Sequence, residues 1–449
     1  MAKGEFLHIL GYMAENQAGG MDLECVEIRG GKPLYGTVEI QGSKNAVLPM
    51  LAGCVLHAGV SRMEHCPRIR DVEDSILLLE ALGCSVWWEG SCLAVDAARI
   101  STWKIPEEIG SRMRSSILFL GALLGRMGKA GLPYPGGCVL GARPIDLHLA
   151  GLRQLGARIE EDASGILAHG EGLKGAKITL RFPSVGATEN IILAAVLADG
   201  ETEIRNAARE PEIGELCRFL QEKGADIRIF PEGRICIRGK TGLQDSRHEL
   251  EADRIVAGTY LMAGAVTGGR ITLERMPHSH MEAVYKALEE TGILLEREGE
   301  RLIVDGSGGY HGIPLLETAP YPGFPTDLQS PMMTLLSVAG GNSRIRENIF
   351  ESRFKTAAQL QKMGADIRLS GRDAFIRGTA KLHGACVEAF ELRGAAALVL
   401  AGLQAEGVTR ISGCRFIDRG YERIFEDLEK LGADIRDDQH LAEQSVREQ

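Results

Sequence analysis

The sequence predicts an α/β architecture of six repeats of about 70 residues, on three observations. One phrase recurs six times at near-constant spacing, as LEALGCSV, LRQLGARI, LQEKGADI, LEETGILL, LQKMGADI and LEKLGADI. Each copy carries a leucine-bearing amphipathic run that stops on a glycine. Each glycine is followed by residues of strand type.

The first glycine marks are Gly83, Gly156, Gly224, Gly292, Gly364 and Gly432, spaced 68 to 73 residues apart. A second mark, at Gly59, Gly131, Gly200, Gly268, Gly340 and Gly407, precedes each by 24 or 25 residues. The amphipathic run ends as a helix does when a left-handed residue follows it. Strands come next: Asp226 to Ile237, broken at Pro231-Glu232-Gly233, alternates as a hairpin. Ahead of the second mark lies another helix, and Asn190 to Leu197 and Ala395 to Leu403 read as buried ones. Each unit thus runs helix, strand, helix, strand, strand. Six units make one solenoid or two three-unit domains, and periodicity leaves both open.

At 449 residues the chain has room for two or three domains, each with its own core. Hydrophobic residues at 44% and charged ones at 25% are ordinary for a globular protein and exclude disorder over most of it. The 56 glycines, about twice the usual share, imply many tight turns. A net charge of −10 and a pI near 5.7 repel nucleic acid and anionic membranes, so an anionic ligand needs a local cationic pocket. The ten cysteines form no Cys-x-x-Cys pair and are expected to be reduced, mostly buried thiols. The opening residues make a poor secretion signal, and Ile117 to Gly125, among the longest apolar runs, is too short to span a bilayer. A cytoplasmic protein is expected, with residues 1–20 an extension and the polar tail after Asp437 frayed.

The sharpest chemical signal is Pro133 to His148, whose prolines and glycines forbid a regular helix and set Cys138 on a loop with Arg143 close by. A thiol beside a cation ionises or exchanges protons more readily; the plainer alternative is a small residue in a turn. Lys44, in Gln41 to Ala46, follows a glycine and precedes an apolar run, where a cation suits a phosphate or carboxylate. The Walker loop pattern is absent, and in isolation such a lysine reads as a solvated surface charge. Arg114, Arg353, Arg393 and Arg419 occupy comparable places in other units. Converging, they would suit a ligand bearing phosphate and carboxylate; otherwise they are separate helix-end arginines. Asp327 lies in a proline-rich turn just before a helical run, placed to cap it or to act as a base.

Seven phrases then stand in one order: GSKNA at Lys44 and Asn45, RMRSSI at Arg114, PGGCVLGARPIDLH at Cys138 and Arg143, SVGAT at Ser184, AREPEI at Glu210 and Glu212, FPTDLQ at Asp327, and IDRGYERI at Arg419. Together they closely resemble the UDP-N-acetylglucosamine 1-carboxyvinyltransferases of the EPSP synthase superfamily, over residues 21 to 437. The resemblance implies a two-domain inside-out α/β barrel with three repeats per domain. One domain would span 44–252 and the other 21–43 with 253–449, so that Lys44 and Asp253 mark the hinges. It implies transfer of enolpyruvyl from phosphoenolpyruvate to the 3'-hydroxyl of UDP-N-acetylglucosamine through a tetrahedral intermediate, without metal or organic cofactor.

By the same resemblance, Asp327 is the base. Cys138 is the acid, and also the residue that can bond covalently to phosphoenolpyruvate or to the epoxide antibiotic fosfomycin. Lys44, Arg143 and Arg419 meet the phosphate of phosphoenolpyruvate, Arg353 and Arg393 its carboxylate, and Asn45 also contacts it. Arg114, Arg143, Pro144, Ile145, Asp146, Leu147, Ser184, Val185, Gly186, Asp327 and Ile349 contact the UDP-sugar. Glu391 stands where an aspartate is commoner, and Phe182 where some members have a basic residue. The sister transferase for shikimate 3-phosphate shares the fold but does not rely on the PGGC cysteine. A non-catalytic paralogue would have no need of Lys44, Cys138, Arg143, Asp327 and Arg419 together.

Overall fold

The computed structural model describes residues 25–136, 145–240 and 242–437. Six helices are buried along nearly their whole length: Lys44–Cys54, Leu118–Met127, Val185–Ala195, Arg254–Val266, Gln329–Ser337 and Leu392–Gln404. Apart from a few polar residues, most of them near the N-terminal ends, their sequences are apolar on every face, as helices enclosed by other elements require. They pack closely where side chains are small. At Gly121 an added Cβ would lie 2.2 Å from the Asn190 carbonyl oxygen, so only glycine lets Leu118–Met127 approach Val185–Ala195.

Around these helices lie six open sheets, five of four strands and one of three, and none closes on itself among the described residues. One shows the pattern. Asp226–Phe230 and Arg234–Arg238 form an antiparallel hairpin, Glu201–Arg205 pairs antiparallel with its second strand, and Lys177–Thr179 joins parallel. The amphipathic helix Pro211–Glu222 precedes the hairpin and presses Ile213, Leu216, Phe219 and Leu220 inward. Its sequel Gly224 has φ +89°, and Gly83, Gly156, Gly292, Gly364 and Gly432 all lie between +89° and +105°. At each of these stops the helix ends because the backbone turns into a region that a Cβ disfavours.

The buried apolar side chains fall into two clusters. One draws on Ala46 to Leu250; the other combines Val26 to Ile40 with Ile255 to Ile435. Cys25–Arg29 lies between Val408–Ser412 and Asp434–Asp437, so the first described strand completes a sheet with the last. The chain passes between the clusters twice, side by side. Gln41 to Ser43 bonds to Glu251 to Asp253 through the backbone at 2.9 Å in each direction. Asp253 ties the crossings together: its Oδ2 accepts from the Lys44 N–H at 3.0 Å, while its Oδ1 caps the next helix through the Ile255 and Val256 N–H groups.

Candidate active site

Ser43 caps the helix Lys44–Cys54 by accepting from the Ala46 N–H at 3.3 Å, which sets Lys44 at the first helical position. Pro49 cannot donate back to the Asn45 carbonyl, so that oxygen lacks its helical partner while the Asn45 side lines the cavity. Lys44 is 7% exposed, which overturns the solvated reading of this lysine. Its Nζ lies 2.8 Å from Asp71 Oδ2, and Arg419 grips the same carboxylate through Nε at 2.8 Å and Nη2 at 3.2 Å. Burial pushes the Lys44 amine down, Asp71 opposes this, and Arg419 and Arg393 push it lower still. Burial alone would raise the Asp71 carboxyl; Lys44 and then Arg419 outweigh it and hold it below its ordinary value. Two cations on one carboxylate leave an excess positive charge at the cavity wall, a setting that favours an anion.

A second charged cluster centres on Asp327, in the short turn Thr326–Leu328 ahead of the helix Gln329–Ser337. Its Oδ1 accepts from Arg353 Nη2 at 2.9 Å and its Oδ2 from Arg393 Nη2 at 3.1 Å. Arg353 is 2% exposed, with its Nε lacking a hydrogen-bond partner, and Arg393 is 3% exposed against the Tyr421 ring. These arginines sit behind Asp327, not on the cavity wall. Burial lowers the Arg393 guanidinium, but Asp327 and then Tyr421 more than reverse that, and it is held above its ordinary value. Glu391 caps the helix Leu392–Gln404 by accepting from the Arg393 N–H at 2.9 Å and from the Gly394 N–H.

Between the two clusters opens a cavity of about 570 Å³, lined from both hydrophobic cores. Lys44, Asn45, Arg114, Ser184, Val185, Gly186, Asp327, Ile349 and Arg419 all face it. Ser184 caps the helix Val185–Ala195, accepting from the Ala187 N–H at 3.4 Å, and so turns that helix N-terminus toward the cavity. Ile145, Asp146 and Leu147 begin the helix Asp146–Gln154 but do not line the cavity, and Asp146 is paired with Arg181. Phe182 is 45% exposed. Cys138, Arg143 and Pro144 lie outside the described residues.

Several cavity residues carry no sequence signal. Asp71 looks like an ordinary acidic residue in the first turn of Arg70–Ala81. His148, at the end of PGGCVLGARPIDLH, is buried, and its Nδ1 lies 3.1 Å from the Asn190 amide. Burial, reinforced by Arg114, pushes its imidazole down to about 3, so it is neutral at physiological pH. Glu189 and Arg254 complete the wall, and Arg254 pairs with Glu212 at 2.9 Å. The repeated pattern around Glu189 reads only as buried helix, which hides a carboxyl facing the cavity.

The family model described as EPSP synthase (3-phosphoshikimate 1-carboxyvinyltransferase) matches residues 28–428. The chain is 47% identical over 409 residues to UDP-N-acetylglucosamine 1-carboxyvinyltransferase 2 of Caldanaerobacter subterraneus subsp. tengcongensis, covering 91% of this chain and 98% of that relative. It is 44% identical over 415 residues to the UDP-N-acetylglucosamine 1-carboxyvinyltransferase of Nitratidesulfovibrio vulgaris, covering 92% and 99%. Among solved structures it is similar to the enolpyruvyl transferase NikO of Streptomyces tendae, with a TM-score of 0.84 at 25% identity over 92% of this chain and 98% of that one. An EPSP synthase of Acinetobacter baumannii shares the fold, with a TM-score of 0.71 at 19% identity over 92% and 99% of the two chains. With nine-tenths of its length aligned to these relatives, the chain belongs to the UDP-N-acetylglucosamine 1-carboxyvinyltransferase family, within the enolpyruvyl transferases of EPSP synthase type.

Proposed function

We propose that the protein transfers the enolpyruvyl group of phosphoenolpyruvate to the 3'-hydroxyl of UDP-N-acetylglucosamine, releasing phosphate, as the first committed step of peptidoglycan synthesis. The observation that carries this reading is the likeness to curated relatives of that name over 91% of the chain at 47% identity. A cavity with a net cationic pole at Lys44, Asp71 and Arg419 and a carboxylate at Asp327 supports it. In the same reading the two hydrophobic cores are two domains, 44–252 and 21–43 with 253–449, each an inside-out α/β barrel of three repeats. Substrates then bind where the domains face each other.

The chemistry adds the sugar hydroxyl across the double bond. The hydroxyl oxygen bonds to C2 of phosphoenolpyruvate, its proton passes to Asp327, and Cys138 delivers a proton to C3. The tetrahedral intermediate then loses phosphate from C2 and a proton from C3, which restores the double bond as an enol ether. Lys44, Arg143 and Arg419 balance the phosphate charge, with Asn45 contacting phosphoenolpyruvate beside them, and preorganised cations of this kind stabilise charge without reorganising during the step. Arg353 and Arg393 hold the substrate carboxylate. Both arginines hydrogen-bond Asp327 in this structure, so meeting a substrate carboxylate requires them to turn part of that contact toward the cavity. Arg114 and the Ser184 to Gly186 turn receive the UDP-sugar, with Ile349 opposite.

Phosphate release from phosphoenolpyruvate, measured with UDP-N-acetylglucosamine in one cuvette and shikimate 3-phosphate in another, tests the reading. Release only with the first acceptor is expected; release only with the second moves the protein to the sister activity, and silence in both sinks catalysis. Cys138→Ser should escape covalent inactivation by fosfomycin, and an adduct still seen by mass spectrometry on that variant would refute the assigned thiol.

A further inference from the structure

Glu189 is a carboxyl that the proposed chemistry does not use. It lies on the helix Val185–Ala195, 5% exposed, and faces the cavity. One helical turn separates it from Val185 and Gly186, so all three share a face. No described residue gives its carboxyl a hydrogen bond or an ion pair.

Its neighbours disfavour ionisation. Glu210 and Glu212 face it from the start of the helix Pro211–Glu222. Glu212 is committed to Arg254 at 2.9 and 3.3 Å. Glu210 accepts from the Tyr321 N–H at 3.2 Å through Oε1, while its Oε2 is buried without a partner. Farther along that helix, Glu215 accepts from the Glu251 N–H at 2.7 Å. Of the cations on the wall, Lys44 is held by Asp71 and Arg254 by Glu212, and His148 is neutral. Arg114 lines the cavity, and the helix Leu118–Met127, packed on the Glu189 helix, has Arg126 in its last turn as its one charged residue. Burial first, then Glu212 and Glu210, push the Glu189 carboxyl up to about 8.

We propose that Glu189 meets the substrate protonated and donates a hydrogen bond to an oxygen of the bound sugar nucleotide, a hydroxyl or a phosphate, positioning it against Val185 and Gly186. A neutral carboxyl offers an O–H donor, whereas a carboxylate only accepts and repels a diphosphate. The inference rests on the sugar-nucleotide reading above.

Calorimetric titration of UDP-N-acetylglucosamine into the full chain tests it without requiring turnover, so its failure is separable from a silent phosphate-release assay. The neutral form is lost as pH rises, so wild-type affinity should weaken about tenfold between pH 7 and pH 9. Glu189→Gln, which keeps a donor of the same shape and does not titrate, should bind with nearly unchanged affinity across that range. Glu189→Ala should bind weakly at both pH values. UDP alone separates the sources: the same pH dependence with UDP identifies a phosphate oxygen, and a flat response identifies a sugar hydroxyl. Parallel pH profiles for wild type and Glu189→Gln overturn the proposal, as does wild-type affinity in a folded Glu189→Ala.

Discussion

Replacing Asp71 by asparagine leaves Lys44 and Arg419 facing each other without their shared anion. Removing one partner of a buried ion pair commonly costs about 3–5 kcal/mol, because the remaining charge stays desolvated. Asp71→Asn should therefore lower the urea midpoint, and saturating inorganic phosphate should restore part of the loss by standing in for the carboxylate. Equal midpoints for variant and wild type would show that the cluster relaxes freely. Asp327→Ala should reduce kcat far more than affinity for the UDP-sugar if the carboxylate acts as base, whereas equal losses in both would point to positioning. Lys44 shows why such clusters stay hidden in a sequence. Its burial follows from Asp253 and Asp71, both remote in the chain, whereas its local neighbours Gly42 and Ser43 read as an open turn.

Elements were far more legible, because their signals are local. A helix stop needs one residue in the left-handed region, and glycine announces it without help from tertiary contacts. Gly292 offers a clean measure: its φ is +89°, and the nearest atom to an added Cβ is His311 Nε2 at 3.7 Å. Gly292→Ala should thus carry only backbone strain of about 1–2 kcal/mol, read as a lower thermal midpoint with kcat/KM unchanged. The hairpin Asp226–Phe230 with Arg234–Arg238 was equally readable from alternation and Pro231-Glu232-Gly233. The buried helices were readable as buried but not as neighbours. That Asn190 Oδ1 accepts from the Gly121 N–H at 2.7 Å depends on packing that neither segment encodes alone. Glu189 was missed for the same reason, since the apolar residues around it predict a core face and the cavity exists only once elements remote in the chain meet.

At the scale of the whole molecule, the two hydrophobic cores are joined, among the described residues, by the paired crossings at Gln41 to Ser43 and Glu251 to Asp253 and by polar contacts that include Arg419 with Asp71, Arg254 with Glu212 and the Tyr321 N–H with Glu210. All three tryptophans, Trp87, Trp88 and Trp103, belong to the stretch between those crossings. Tryptophan fluorescence therefore reports on one core and far-UV circular dichroism on both. The two probes should give separate urea transitions for the ligand-free protein and draw together when both substrates' analogues bridge the cleft; coincident curves without ligand would mean one cooperative unit. The placement of Cys25–Arg29 between Val408–Ser412 and Asp434–Asp437 has a consequence for biosynthesis. On the ribosome that strand emerges hundreds of residues ahead of its partners, while the intervening core from Ala46 to Leu250 already holds every strand of its own three sheets. Translation thus makes the central unit available early and leaves Cys25–Arg29 without its partner strands until Val408–Ser412 and Asp434–Asp437 have emerged.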